Sequence, residues 1–431
     1  MTAFSNVTSL IFSAALMQIA GGLLGVIVPL ALGAEGYSDA VIGLIAAVYS
    51  AGFMVGAAIA PRAIRQVANI RTFAFSAALC AAAALFMAMF RDPYSWSLAR
   101  FAQGIGIALM FASVESWMTE ATPVQQRGSV LGIYHVVAKL ALITGPFFAI
   151  GTTADDLEPY IWCGIFLSLA LMPVSATRSL QPAPPDPDPY PIRRMFSVAP
   201  SGVIGVFIAG FSNTGFLSLL PVYAQRVEGM TAASAAAILM AAAYFGGTLS
   251  QWPVGYISDR IDRRIVIGAM GLLSGIVALV LAVLNGEPGS LTVQILIGLW
   301  GTGALSFYGL CIAHAADRCE PEKIARMLSG LLFVWASGSV LGPLFFGVVM
   351  SSPLGSRGLF IFEAVIGFVL FAVMIWRRQA KAGVKDAQRE SYEYVLPTSV
   401  VGAEIDPRTD YETDDETLSA VEPETDPNVA N

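Results

Sequence analysis

The sequence predicts an all-α integral membrane protein, with twelve transmembrane helices arranged as two six-helix, pseudo-symmetric halves. Three observations carry this prediction. Of 431 residues, 56% are hydrophobic and 13% charged, against about 45–50% and 25% in a soluble domain. The apolar runs are roughly 18 to 25 residues long, the length of a helix crossing a hydrocarbon core and twice that of a barrel strand. The two halves also carry the same small residues at a constant offset.

Hydropathy places spans at about 9–32, 39–60, 72–90, 95–119, 128–150, 159–178, 199–223, 232–256, 264–284, 290–316, 327–350 and 356–377. The first run has no basic residue before it and exceeds the h-region of a signal peptide, so it is expected to be a span. An even count puts both termini on one side. Thirteen loop arginines and lysines, from Arg62 to Arg326, fall on the side of the even-numbered loops, and only Arg91, Arg226 and Arg357 fall opposite. This bias predicts a plasma (inner) membrane protein with both termini cytoplasmic. The net charge of -7 reports mainly the acids crowded into the last thirty residues. Cys80, Cys163, Cys311 and Cys319 form no CxxC pair, which argues against a disulfide framework or a metal site.

The chain divides into a first half (1–180), a proline-rich linker containing QPAPPDPDPYPIRR (181–197), a second half (198–378) and an acidic tail (379–431). The linker is expected to be extended and the tail disordered. A shift of 197 residues lays Gly104, Gly106, Gly145 and Pro146 on Gly301, Gly303, Gly342 and Pro343. Parallel six-helix repeats are a transporter architecture whose substrate site lies between the halves near mid-membrane.

GYISDRIDRR, Gly255 to Arg264, resembles the G-x-L-x-D-R-x-G-R-R/K loop of the major facilitator superfamily, with Asp262 where a glycine is usual. Gly255, Asp259, Arg260 and Arg263 carry the match, and Arg264 completes it. The resemblance spans about residues 5 to 380 and implies the major facilitator fold. An acid at a helix end beside arginines is suited to latch a neighbouring helix; a plain positive-inside loop needs only the arginines. The matching first-half loop, 56–71, keeps Gly56 and its arginines but has no acid, so a weaker latch is expected there.

Arg100, Gln103, Gly104, Gly106 and Ala108 match a second family pattern, R-x-x-Q-G-x-G-x-A, whose arginine is implicated in proton coupling in drug exporters of the superfamily. The glycines are not a nucleotide fingerprint, because Leu109 replaces the third; they are suited to close helix packing. A third pattern, associated with antiporters, is partly met by Gly132, Gly145 and Pro146, while Ala141, Ala149 and Ile150 stand where glycines belong. Val114 to Tyr134, VESWMTEATPVQQRGSVLGIY, resembles the YcaD-like branch, which consists mostly of presumed exporters or permeases.

Charges within spans are costly and usually face the bundle interior. Arg100 and Glu115 are about 60° apart around one helix and roughly 22 Å apart along it, so they cannot pair. Arg100 is a candidate for coupling, with an interfacial anchor as the plain alternative. Glu115 is expected to contact Arg127 or another basic loop residue. Lys139, near the middle of span five, is a candidate for anion binding or proton handling, with His135 one turn before it on the same face. His314 and Asp317 are expected to form an interface pair, and Glu363 is either an outward snorkel or a protonated site. Gln18, Asn213 and Gln251, with aromatics including Tyr49, Phe53, Trp117, Tyr134, Tyr244, Trp252, Phe307, Tyr308 and Trp335, are candidates for a cavity lining, although most such aromatics pack or face lipid.

The leading expectation is a secondary transporter, driven by protons, exporting a small organic or amphipathic compound by alternating access. The runner-up is uptake of a small anionic metabolite with Lys139 as counter-charge. A non-transporting receptor or scaffold is the competitor from another class. An enzyme is not expected, since neither histidine has a partner at ligand spacing. No cofactor beyond the proton gradient is expected. The lipid bilayer, a small solute and protons are the expected partners, nucleic acid is not, and the protein is expected to be monomeric.

Overall fold

The computed structural model describes residues 2–123, 126–153, 155–175, 190–225, 227, 231–380, 392–393, 395–399 and 408. The first half comprises α1 (Thr2–Ala34), α2 (Asp39–Val67), α3 (Asn69–Met89), α4 (Pro93–Ala121), α5 (Arg127–Thr144) and α6 (Glu158–Ser175). A short α7 (Ile192–Val198) leads into the second half: α8 (Pro200–Ala224), α9 (Ala232–Ser258), α10 (Arg263–Leu284), α11 (Leu291–Ala304), α12 (Phe307–Ala316), α13 (Ile324–Met350) and α14 (Ser356–Ala380). Among the described residues eleven stretches are long and apolar enough to cross a membrane, and the shorter Glu158–Val174 completes the predicted twelve.

Two predicted spans are broken. Span five passes at Gly145–Pro146 into a 3-10 turn, Gly145–Ala149, because proline supplies no amide donor and clashes with the preceding turn. Span ten, predicted as one helix, is α11 and α12 separated at Leu305 and Ser306. The Leu305 carbonyl freed by the break accepts a hydrogen bond from Gln251 Nε2 at 3.0 Å, as non-helical backbone at membrane depth requires. The linker expected to be extended is helical from Ile192, with Met195 buried; 181–189 lie outside the described residues.

The internal repeat reappears in the packing. A Cβ at Gly104 would stand 2.2 Å from the Tyr49 carbonyl oxygen on α2, and one at Gly301 would stand 2.0 Å from that of Ala243 on α9. Gly145 meets Ile19 of α1 as Gly342 meets Phe211 of α8, at 2.2 and 2.0 Å. The same helix pairs therefore touch backbone to backbone in each half, where only glycine fits.

The even-numbered loops, with α7 and the tail, mark one end of the bundle as the arginine-rich side. At the opposite end the halves close on each other. Ala40 N donates to Ser351 Oγ at 2.8 Å, and Gln225 Nε2 donates to the Leu30 carbonyl at 2.8 Å. A Cβ at Gly43 would come within 2.2 Å of the Pro343 carbonyl oxygen. Between this closure and the arginine-rich side lies a cavity.

Candidate functional site

The cavity encloses about 340 Å³ between the halves, within the usual range for a small-molecule site. Its lining includes Gln18, Tyr49, Arg100, Gln103 and Lys139 from the first half and Asn213, Tyr244, Tyr308, Trp335 and Ser339 from the second. Among the described residues its charged lining is Arg100 and Lys139, with no aspartate or glutamate.

Helix geometry explains the position of Arg100. Asp92 caps α4 by accepting the amides of Tyr94 and Ser95 at 3.1 and 3.0 Å, with Pro93 as first helical residue. The hydrogen bonds from Ser95 and Tyr94 hold the Asp92 carboxyl below its ordinary pKa. About two turns on, the Arg100 guanidinium lies 4.1 Å from the Tyr49 ring centroid and donates from Nη1 to Gln103 Oε1 at 3.1 Å. It therefore faces the bundle interior rather than anchoring the interface. Lys139 reaches across to the other half, its Nζ 4.9 Å from the centroid of the Tyr244 ring on α9. Both cations rest on aromatic faces, an arrangement that offsets part of their desolvation. Arg100 Nε, Gln103 Nε2 and Asn213 Oδ1 have no hydrogen-bond partner among the described residues.

The structure separates residues that the sequence placed together. His135 does not join Lys139 in the main cavity; it is buried beside Tyr134 and lines a smaller recess with Glu115, Tyr308 and Leu332. Glu115, expected to meet Arg127 or another basic loop residue, instead accepts a hydrogen bond from Tyr134 Oη at 2.9 Å and another from Ser399 Oγ of the tail. Arg127 reaches the Thr119 carbonyl at 3.5 Å. Of the candidate aromatics, Tyr49, Phe53, Tyr244, Tyr308 and Trp335 line the cavity, while Trp252 is 79% exposed on the outer surface.

Glu363 is neither a snorkel nor part of the cavity wall. It is 1% exposed, accepts from Ser212 Oγ at 2.8 and 2.9 Å and from Trp300 Nε1 at 3.0 Å, and so ties α14 to α8 and α11. The neighbouring Asn213 and Thr214 face the cavity. Sequence reasoning saw the buried acid but not these neutral donors, which come from helices remote in the chain.

The arginine motif builds a cluster within the second half. Arg263 pairs with Asp317 at 2.8 Å and with Asp259 at 3.0 Å. Asp317 is thus joined to Arg263 rather than to His314. Asp262 caps α10 through the Arg264 amide and pairs with the Arg264 side chain at 2.6 Å. Burial works against the Asp262 carboxylate, but the hydrogen bonds from Arg264 outweigh it and leave its pKa below the ordinary value. Arg264 also donates to the Arg377 carbonyl at 3.0 Å. These contacts join α9, α10, α12 and α14; none of them crosses to the first half.

The tail, expected to be disordered from 379, is described only in part. Helix α14 extends to Ala380, and residues 392–393 and 395–399 lie against the bundle, with Val395 to Thr398 forming the arginine-side floor of the cavity.

Comparison with known proteins agrees with this architecture. The Major Facilitator Superfamily model matches residues 10–252 and 203–409. The chain is 25% identical over 365 residues to the uncharacterized MFS-type transporter YcaD of Shigella flexneri serotype 5b (strain 8401), covering 84% of this chain and 92% of that one. Among solved structures it is similar to a bacterial homolog of the human lysosomal transporter Spinster in an inward-facing, unoccupied conformation. That match has a TM-score of 0.73 at 18% identity and covers 90% of this chain and 99% of the other. It is also similar to the nucleoside transporter NupG, with a TM-score of 0.68 at 13% identity over 87% of this chain and 100% of that one. With two pseudo-symmetric six-helix halves around a central cavity and a family match along nearly its whole helical length, the chain belongs to the Major Facilitator Superfamily.

Proposed function

We propose that this membrane transporter exports a small amphipathic organic anion by alternating access, coupled to protons. One observation carries the substrate class: the cavity presents Arg100 and Lys139, set among aromatic rings, and its lining includes no carboxylate among the described residues. A bound anion would supply the counter-charge that neither cation has in the lining, and Tyr49, Tyr244 and Trp335 suit an apolar or aromatic body. The arginine-rich side is taken as cytoplasmic, so the closed end faces outward and the cavity belongs to an inward-facing state. Export agrees with the sign of the solute, since an anion leaving an inside-negative cell gains about 2.3 kcal/mol per 100 mV.

In this reading the coupling proton resides on Glu363. Its hydrogen-bond partners among the described residues are the neutral Ser212 and Trp300, so among those residues the carboxylate has no counter-charge in the membrane interior. Ser212 precedes Asn213 on α8, so a change at the carboxyl reaches the cavity wall through one helix. The test is solute and proton flux in proteoliposomes of purified protein, with matched panels of aromatic carboxylates and their uncharged amides under an imposed pH gradient. Proton-linked movement of carboxylates, lost in Arg100→Ala and Lys139→Ala proteins that remain folded, is expected. Transport of the amides alone refutes the substrate class, and carboxylate movement indifferent to the pH gradient refutes proton coupling.

A further inference from the structure

The arginine-side vestibule holds a segment of the chain itself, and both halves grip it. The Tyr392 ring sits in a slot whose walls are glycines. A Cβ at Gly255 would stand 2.2 Å from Tyr392 Cδ1, and one at Gly309 would stand 2.7 Å from Tyr392 Oη. Neither position accepts a side chain while the ring is present. The Tyr392 hydroxyl bonds Gln251 Oε1, and its amide donates to the two Asp259 oxygens at 3.1 and 3.3 Å. Seven residues on, Ser399 bonds Glu115 in the first half. Between them Val395 to Thr398 close the floor of the central cavity, and Thr398 and Ser399 are buried.

We propose that the tail residues Tyr392, Glu393 and Val395–Ser399 form an intramolecular plug, docked between the halves, that arrests the transporter with its outer end closed and its cavity sealed from the arginine-rich side. The contacts are specific to one state. Alternating access requires the arginine-side ends of α4 and α9 to approach each other, and the plug spans that gap from Glu115 to Asp259. A ligand that binds one state only shifts the equilibrium toward it. Reach is adequate, because the residues between Ala380 and Tyr392 extend to about 40 Å at most from the end of α14 on the same side. The motif residues Gly255 and Asp259 thereby gain a second role, as the seat of the tail.

The test is labelling of full-length protein by a charged maleimide, in a background whose four native cysteines are replaced by alanine. A Thr398→Cys side chain is expected to react about tenfold more slowly than in the same protein carrying Tyr392→Ala, a change confined to the tail. Gly309→Leu, which fills the ring slot, is expected to release the tail likewise. Equal rates with and without Tyr392→Ala overturn the docking. A second measurement addresses the seal: Ser218→Cys, in the cavity wall, is expected to react faster by about tenfold when the chain ends after Lys381. An unchanged rate overturns the plug. Both readouts are independent of any transported solute, so they stand or fall apart from the anion assignment.

Discussion

Replacing Lys139 by methionine keeps an unbranched side chain one atom shorter and removes the charge. In the protein without solute the ammonium has the Tyr244 ring at 4.9 Å and no carboxylate among the described residues of the cavity lining. The change therefore forfeits a cation–π contact of about 0.5–2 kcal/mol. It also removes a lysine from mid-membrane, where insertion costs roughly 2.5–3.5 kcal/mol. The balance favours the variant by about 1 kcal/mol, since hydration of the cavity lowers the second figure more than the first. A bound anion reverses the comparison. At 4 Å and an effective dielectric constant of 20 the attraction is about 4 kcal/mol. Screening within the cavity halves it to about 2 kcal/mol, a loss of roughly 30-fold in affinity. Thermal unfolding in detergent checks both parts. Lys139→Met is expected to melt at or above the wild-type temperature, while the stabilisation that aromatic carboxylates give the wild type falls away. A variant that melts several degrees lower yet keeps its carboxylate response refutes the reasoning, as does a wild type that responds equally to the amides.

Three further outcomes follow from particular contacts. Glu363→Gln keeps acceptor and size but cannot exchange a proton, so anion movement is expected to persist while the accompanying proton flux disappears; retained proton flux assigns coupling elsewhere. Gly301→Ala drives a methyl group against the Ala243 carbonyl, and Gly104→Ala does the same against Tyr49. Each is expected to lower stability by about 1–3 kcal/mol, and a neutral thermal shift in both contradicts the backbone contacts. The pKa of Asp262 is below its ordinary 3.8 in the folded protein, so its pairing with Arg264 stabilises above that ordinary value and is lost as pH falls through the lower, folded one. Asp262→Asn is therefore expected to lower the melting temperature at pH 7, and by progressively less as the pH falls below 3.8; an effect that does not change with pH removes the ionic contribution.

Much of the fold was legible because the bilayer imposes a simple rule: a spanning segment satisfies its own backbone and is apolar for about twenty residues. The repeat was legible for a related reason. Gly104 with Gly301, and Gly145 with Gly342, sit where backbones touch, and that requirement fixes residue type at a constant offset. The charges Arg100 and Lys139 stood out because an ion inside a span demands a reason.

Partners were not legible, because they depend on which distant helices meet. The sequence suggests Arg127 or another basic loop residue as the partner of Glu115, which is bonded instead to Tyr134 and Ser399. His135 and Lys139, one turn apart on α5, open into different cavities. The break in span ten leaves no hydropathy signal, since Leu305 and Ser306 lie in an apolar run and the break is stabilised by Gln251 from another helix. The acidic composition of the tail pointed to disorder, because composition averages over length; a single tyrosine at the right distance from Gly255 and Gly309 is invisible to it. The sequence by itself determined the solvent, the number of spans and the residues carrying buried charge, all of which follow from local transfer energies. The tertiary structure alone decided which of those charges share a cavity, which acid stands among neutral donors, and what fills the vestibule, because each is a contact between segments whose separation in the chain carries no information about their distance in space.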